Sequence, residues 1–399
     1  MLKIHSEPPK PEIVPDGPTL LALGFRPFFS AAGLSAAVLI LVWLGAWSGG
    51  LNLSAYYGII GWHSHEMLFG YAAAVIAGFL LTAVGNWTGV KTPSGKPLAW
   101  LALLWITGRL LPLAAGYVPA PVIALVDLAF LPAVALGIGP PLWQGKQKIN
   151  RIFVPLLLAM ALANGLVHLQ ALGIADTANR GADMMLLLVV FLVVLIAGRV
   201  VPFFTQAVVP GYQAKRVPWV ENTSVASLIL FILVQLIYPM PLLIGLLALV
   251  IAATQIIRVA GWHDLKIWQT PILWVLYTGI AWIIVGFVLL ALSTQGLVGA
   301  NLAKHALAVG GVGVLTLGMM SRVALGHTGR PLQPVRIVDW SFGLLNLAAL
   351  VRVFGPLVMP DRYTLWVHLS GGLWAICFLV FCFVYLPILF KPRVDGKPG

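Results

Sequence analysis

Residues 183–204 read DMMLLLVVFLVVLIAGRVVPFF, an apolar run with one acid at its start and one arginine near its end. An α-helix rises about 1.5 Å per residue, so roughly 20 such residues cross a bilayer core about 30 Å thick. Eleven further runs of this kind fill most of the chain, which predicts twelve transmembrane helices. The twelve runs cover residues 28–47, 61–84, 98–115, 120–138, 152–170, 183–204, 223–238, 241–259, 271–292, 301–321, 337–354 and 363–389.

The composition supports an all-α, polytopic membrane protein. Hydrophobic residues make up 60% of the 399 residues, charged residues only 9%, and the mean hydropathy is +0.97. Soluble domains carry about 25% charged residues. We therefore expect one twelve-helix transmembrane domain over residues 21–390, because the short connections leave no room for a soluble domain. Residues 1–20 are expected to be a disordered cytoplasmic tail and residues 391–399 a second cytoplasmic tail, with the first apolar run retained.

The positive charge of the chain indicates its orientation. The formal net charge is +12. Eighteen of the 24 lysines and arginines fall in the two terminal tails and in or beside every second connection, which assigns that side to the cytoplasm. The opposite connections carry only Arg180, Lys304 and Arg362. This asymmetry predicts that both termini lie in the cytoplasm, and it removes the reason to expect a nucleic-acid partner.

Five of the eight histidines are expected near the outer face of the membrane, on four different helices. Side chains at positions i and i+2 of a helix point about 200° apart. Because His63 and His65 have this spacing, they are not expected to chelate one ion. We predict that His65 faces the bundle, while His63 lies on another face with Glu66 and Met67. Ordinary hydrogen bonding at the membrane interface is the alternative for each histidine. The five are His63, His65, His168, His305 and His368.

An internal repeat links two of these histidines. Residues 65–89 align without a gap to residues 305–329, which pairs His65 with His305. Helices 2, 6 and 10 of twelve are spaced as in three arcs of four helices, an architecture that resembles the core of haem–copper oxidases. In those proteins helices 2 and 10 hold a haem between two histidines, although no oxidase sequence motif is present here. On this architecture His65 and His305 are the predicted haem ligands.

Several further residues bear on such a site. Cys377 and Cys382 form no CxxCH motif, so the haem would be bound non-covalently, as haem b. Arg109 and Asp127 lie equally far from the turn between their helices and are predicted to form a structural ion pair. Arg352 has no acid at a matching depth and is the candidate partner of a haem propionate. The glycines at 310, 311 and 313 either leave room for a macrocycle or pack helices together.

Long blocks of the sequence resemble the NnrS family. They are LLALGFRPFFSAAGL, WHSHEMLFGYAAAVIAGFLLTAVGNWTG, AGRVVPFFTQ, HALAVGGVGVLTLGMMSRVALGHTGR and WVHLSGGLWA. The resemblance implies a twelve-helix inner-membrane protein that binds haem and copper and is tied to nitric oxide metabolism and nitrosative stress in denitrifiers and pathogens. In PILWVLYTGIAW, Tyr277 stands where the family suggests a histidine, so this chain either lacks one ligand or uses a phenol.

The resemblance and the histidine positions together give a set of site predictions. His63, His168 and His368 are candidate copper ligands, and Glu66 is a candidate proton relay or a hydrogen-bond partner that sets a histidine tautomer. His263 and His327, with Asp264 nearby, are candidates for a second, cytoplasmic metal site. We rank this interpretation below the alternative that both are ordinary surface histidines.

Three functions remain open at this point. The first is binding and reduction or detoxification of nitric oxide, as in a nitric oxide reductase-type oxidoreductase, with a quinol or a cytochrome as electron donor. The second is a non-catalytic haem protein that buffers nitric oxide or carries electrons. The third is a transporter of a small solute or metal, which would place its ligands near the midplane rather than at one surface.

Overall fold

The computed structural model describes residues 18–53 and 56–397 of the chain. It confirms twelve helices long and apolar enough to span a membrane, and the described residues contain no β-strand. The predicted N-terminal tail falls almost entirely outside the described residues. The helices are α1 Phe25–Trp47, α2 Gly58–Thr88, α3 Lys96–Ala114, α4 Ala120–Gln144, α5 Lys148–Ala171, α6 Ala178–Val208, α7 Pro218–Ile237, α8 Pro241–Trp262, α9 Pro271–Thr294, α10 Ala300–His327, α11 Arg336–Val358 and α12 Pro360–Leu389.

Proline marks several helix starts. Pro218, Pro241 and Pro271 each occupy the first position of a helix, where the missing N–H has no intrahelical partner to lose and the fixed φ already suits the helix. The connection between α7 and α8 is only three residues long, Tyr238, Pro239 and Met240, because Pro241 already begins α8. Glycine marks a helix end: α2 is followed by Gly89 with a φ of +71°, a left-handed conformation that glycine adopts without strain.

Each helix contacts the next helix along the chain, and α1 also packs on α12. Helix α6 contacts both α2 and α10, so these three helices line the centre of the molecule. The two ends of the chain meet on one face, because the Arg26 guanidinium donates to the carbonyl oxygens of Leu389 and Lys391.

The internal repeat has a structural counterpart. Helix α2 contains a π-helical segment at Glu66–Ala72, directly after His65, and α10 contains one at Ala306–Gly313, directly after His305. The two segments start 240 residues apart, the same offset as the sequence alignment. Such segments occur mostly at functional sites, because they redirect the side chains of the flanking turns.

The glycines of α10 serve helix packing. A Cβ on Gly310 would lie 2.3 Å from the Trp282 ring, and a Cβ on Gly313 would lie 2.4 Å from the Trp374 ring. Gly311 meets Ile283 in the same way. Of the two explanations that the sequence left open, packing through small residues accounts for these three positions.

Candidate metal and cofactor sites

The histidines of the outer half separate into two sites. His65 and His168 meet in a buried group of charged residues enclosed by α2–α5. His63 and His305 instead line a cavity bounded by α1, α2, α6, α10, α11 and α12. The two histidines of HSH therefore belong to different sites, as their spacing of two residues requires on a helix.

The first site is the ionic cluster, which we define by six buried residues. Arg109 lies at its centre: one guanidinium nitrogen pairs with Asp127, and Nη1 lies 2.9 Å from Oε1 of Glu66. The predicted pair between Arg109 and Asp127 is confirmed, while the participation of Glu66 in it was not foreseen. The members of the ionic cluster are His65, Glu66, Arg109, Asp127, Asn164 and His168.

Imidazole and carboxylate atoms converge in this cluster. Oδ2 of Asp127 lies 3.1 Å from Nε2 of His65 and 3.0 Å from Nε2 of His168. Nε2 of His65 also faces Oδ1 of Asn164 at 3.1 Å and the Tyr57 hydroxyl at 3.0 Å. One ligand atom from each of His65, Asp127 and His168 lies within 4.8 Å of the other two. Two imidazoles and a carboxylate at such spacing are a donor set that zinc, copper and iron accept.

The opposite ring nitrogens are held by partners of their own. Nδ1 of His65 lies 3.3 Å from Oε1 of Glu66, and Nδ1 of His168 lies 3.0 Å from the Tyr56 hydroxyl. That hydroxyl also donates to the carbonyl oxygen of Ala120 at 3.3 Å, so it can accept the Nδ1 proton of His168. In the structure each Nε2 faces Oδ2 of Asp127, which can only accept a hydrogen bond. A metal ion bound at Nε2 would displace the proton there and leave Nδ1–H to donate to these partners, as around metal-binding histidines.

The two tyrosines are neutral near pH 7. Burial raises the pKa of Tyr56 to about 12, and burial likewise raises the pKa of Tyr57 well above its ordinary value. Both phenols therefore keep their protons and act as hydrogen-bond donors. Neither adds charge to the ionic cluster.

The charges of the ionic cluster do not balance. Glu66 and Asp127 contribute two negative charges and Arg109 one positive charge, and all three side chains are at most 8% exposed. With neutral histidines the cluster carries a net charge of −1. Buried charges without compensation are costly, so the cluster has room for one further positive charge, either a proton on an imidazole or a metal ion.

The second site is the outer cavity, with a volume of about 300 Å³. Cavities that bind small molecules and cofactors start at about this size. Its wall is apolar apart from a small set of polar side chains brought together from five helices. These include His63, Asp183, Asn301, Lys304, His305, Arg352 and Tyr363.

The two histidines of the outer cavity each have one ring nitrogen without a described hydrogen-bond partner. The His63 ring stacks on Trp43 with ring centroids 4.1 Å apart, and its buried Nδ1 has no hydrogen-bond partner among the described residues. Nδ1–H of His305 donates to the carbonyl oxygen of Asn301 at 2.8 Å, which leaves its Nε2 as the atom with a lone pair.

A cationic side chain completes the outer cavity. Arg352 donates from Nη2 to the Tyr363 hydroxyl at 2.9 Å, while its buried Nη1 has no hydrogen-bond partner among the described residues. Lys304, in contrast, is neutralised by Asp183 at 2.6 Å. Two available imidazoles and one uncompensated guanidinium fit a metal-bearing macrocycle with carboxylate substituents.

The structure regroups the predicted ligands. His65 and His305 were expected to share a cofactor, but His65 lies in the ionic cluster and His305 in the outer cavity. The face of α2 that carries His63 and Met67 is the one turned to the cavity, so His63 takes the place expected for His65. Glu66 does not share that face, since it lies with His65 beside Arg109.

The other candidates lie outside both sites. His368 has both ring nitrogens engaged, Nδ1 with the carbonyl oxygen of Thr364 and Nε2 with the Ser48 hydroxyl, each at 2.8 Å. His263 is exposed and accepts a hydrogen bond from Trp268, whereas His327 packs against the Phe25 ring. No described contact joins His263 to His327.

Tyr277, where a histidine was expected, also serves a structural purpose. Its hydroxyl donates to the carbonyl oxygen of Trp262 at 2.7 Å and lies 2.9 Å from the Thr205 hydroxyl. These contacts tie α9 to α8 and α6. Tyr277 lies outside both the ionic cluster and the outer cavity.

Comparison with known proteins gives one match. No curated protein matches the chain. The family model described as NnrS protein matches residues 19–393, a range that contains every member of the ionic cluster and every polar residue of the outer cavity. The chain therefore belongs to the NnrS family, and it is a multi-pass membrane protein of a family associated with metals and with nitric oxide.

Proposed function

We propose that this protein handles nitric oxide at a haem held in the outer cavity, with copper bound in the ionic cluster. The observation that carries the proposal is the meeting of His63 and His305 with Arg352 around one cavity. The helices that supply the two histidines, α2 and α10, are those expected from the three-arc architecture. Nitric oxide is small and uncharged, so a site inside the bilayer needs no polar channel to receive it.

A few residues of the outer cavity would hold the haem. His63 and His305 would bind its iron, Trp43 fixes the plane of the His63 ring, and Arg352 would neutralise a propionate. The carbonyl oxygen of Asn301 sets the His305 tautomer. The bound haem supplies an iron that can be reduced and can bind nitric oxide.

The ionic cluster is the proposed copper site. Nε2 of His65, Nε2 of His168 and Oδ2 of Asp127 are the proposed ligand atoms, and Arg109 holds the other oxygen of Asp127. A monovalent copper ion would bring the net charge of the cluster from −1 to zero. Glu66 orients His65 through Nδ1, and its second carboxylate oxygen, buried without a hydrogen-bond partner among the described residues, is free to accept a proton.

The orientation and the electron supply belong to the same proposal. We place both termini in the cytoplasm of a bacterial inner membrane, with residues 21–390 as one transmembrane domain. Reduction of two nitric oxide molecules to nitrous oxide and water consumes two electrons and two protons. A quinol or a cytochrome would supply the electrons, and protons would enter from the outer side near Glu66.

One observation favours a second candidate function. The outer cavity offers two histidines, and a haem held by both would bind nitric oxide less readily than a haem held by one. Such a haem suits electron transfer better than turnover. Production of nitrous oxide by the purified protein, with and without a chemical reductant, separates a reductase from a non-catalytic haem protein.

The decisive experiment measures both cofactors in the same set of variants. Protein is purified from a haem- and copper-replete host, and its optical spectrum and copper content are recorded for wild type, His305→Ala and His168→Ala. We expect His305→Ala to lose or alter the haem spectrum and keep copper, and His168→Ala to do the reverse. The exposed His263→Ala is the matched control and should retain both.

Two results would contradict the proposal. Wild-type protein without haem would remove the metalloprotein assignment of the outer cavity and favour a transporter. An unchanged haem spectrum in both His63→Ala and His305→Ala would show that the haem lies elsewhere. Addition of nitric oxide to the reduced wild type should shift the haem bands, and a spectrum that does not respond would separate haem binding from nitric oxide chemistry.

A further inference from the structure

A second, smaller cavity lies next to the outer cavity at the centre of the molecule. This inner cleft has a volume of about 70 Å³ and is bounded mainly by α2, α6 and α10. Its wall is formed by side chains such as Ile76, Leu192, Ala197, Leu315 and Met319. Neither the ionic cluster nor the haem site proposed above uses it.

The inner cleft offers water no hydrogen-bond partner. Thr316 is the one hydroxyl residue of its wall, and that hydroxyl already donates to the carbonyl oxygen of Val312 and bonds the hydroxyl of Tyr71. A buried water requires two to four polar partners, and cavities without them remain dry and bind apolar guests such as xenon. The inner cleft is therefore a dry compartment.

The size of the inner cleft limits which molecules can bind in it. A water molecule occupies about 30 Å³ in the liquid, and an apolar cavity of about 150 Å³ holds one benzene. A space of about 70 Å³ is too small for a lipid chain, a quinone or a polar solute with its hydration shell. It suits one or two molecules of a small apolar gas.

Only one layer of side chains separates the inner cleft from the outer cavity. Ala72 and Val312 line both spaces. A hydrogen bond also joins the two walls, because the hydroxyl of Tyr71, which lines the outer cavity, bonds the hydroxyl of Thr316, which lines the inner cleft. A guest in the inner cleft therefore lies next to the outer cavity at Ala72 and Val312, beside the hydrogen bond between Tyr71 and Thr316.

We propose that the inner cleft is a docking site for nitric oxide, from which the gas passes between Ala72 and Val312 into the outer cavity. The identity of the gas rests on the proposed function, whereas the binding of a small apolar guest does not. Bilayer hydrocarbon dissolves an uncharged diatomic gas, and an apolar compartment within the span collects it beside the site where it reacts.

Xenon tests the docking site without any cofactor. Xenon binding to the purified full-length protein is followed by 129Xe NMR for wild type, for Ala197→Leu and for Ala207→Leu. Ala197 lines the inner cleft, so three added carbon atoms fill much of it and should abolish the bound-xenon signal. Ala207 is exposed on the same helix, and its variant should bind xenon as wild type does.

The outcomes separate this inference from the proposed function. No xenon binding by wild type, or full binding by Ala197→Leu, overturns the docking site even if haem is present. Xenon binding by a wild type that lacks haem leaves the docking site intact and overturns only the proposed function. If Ala197→Leu fails to fold, Val200→Phe fills the inner end of the same space and replaces it.

The proposed passage between the two cavities is tested by the rate at which a gas binds to the haem. Ala72→Val narrows the space between the two cavities, so the association of carbon monoxide or nitric oxide with the reduced haem should slow several-fold after flash photolysis. An unchanged association rate would show that gas reaches the outer cavity by another path and would overturn this part of the proposal.

Discussion

Removal of Arg109 is the sharpest test of the ionic cluster. Replacement by Met keeps most of the volume of the side chain but leaves Glu66 and Asp127 with no cation, so the net charge of the cluster changes from −1 to −2. Loss of one partner of a buried ion pair costs about 3–5 kcal/mol, because the remaining charge is left uncompensated. Since Arg109 compensates two carboxylates, we expect Arg109→Met to lie at the upper end of that range.

The assay is reversible unfolding in mixed detergent micelles, with Arg180→Met as control. Arg180 is exposed in the first turn of α6, and its variant should change the free energy of unfolding by less than about 0.5 kcal/mol. The double variant Arg109→Met/Glu66→Gln returns the cluster to a net charge of −1, so it should recover part of the lost stability. A single variant as stable as wild type, or a double variant less stable than the single one, would refute the charge count.

Two further predictions concern the ring held by Tyr56 and the packing of α10. Tyr56→Phe removes the hydroxyl beside Nδ1 of His168. Copper affinity, measured by competition with a chelator, should therefore fall by roughly 10–100-fold, while the haem spectrum stays unchanged. A copper affinity equal to that of wild type would show that Tyr56 does not support the site. Gly313→Ala places a methyl group 2.4 Å from the Trp374 ring and should lower the free energy of unfolding by about 1–3 kcal/mol. Gly372→Ala meets no atom within 4 Å and should be near neutral in the same unfolding assay.

The transmembrane spans could be predicted from the sequence because a bilayer imposes a length and a composition on each helix. All twelve runs became helices, and the ends at proline and glycine followed from backbone geometry. The pair formed by Arg109 and Asp127 was equally accessible, since two residues equidistant from a turn lie at one depth. Such inferences need only distances along the chain.

The assignment of histidines to sites required the rotation of each helix about its axis, which a single sequence does not contain. The spacing of His63 and His65 showed that they face apart, but not which of them faces α10. Asn164 was missed although it precedes His168 by one helical turn and therefore shares its face. A polar residue one turn from a buried histidine was the available signal.

The chain that joins the two sites is very short. Only Ser64 separates His63, in the outer cavity, from His65, in the ionic cluster. A shift or rotation of α2 on loading one site therefore moves a ligand of the other. By thermodynamic linkage, any factor by which haem changes the affinity for copper must equal the factor by which copper changes the affinity for haem. Under the proposed function, helix α2 would thus couple the binding of haem to the binding of copper during assembly of the protein.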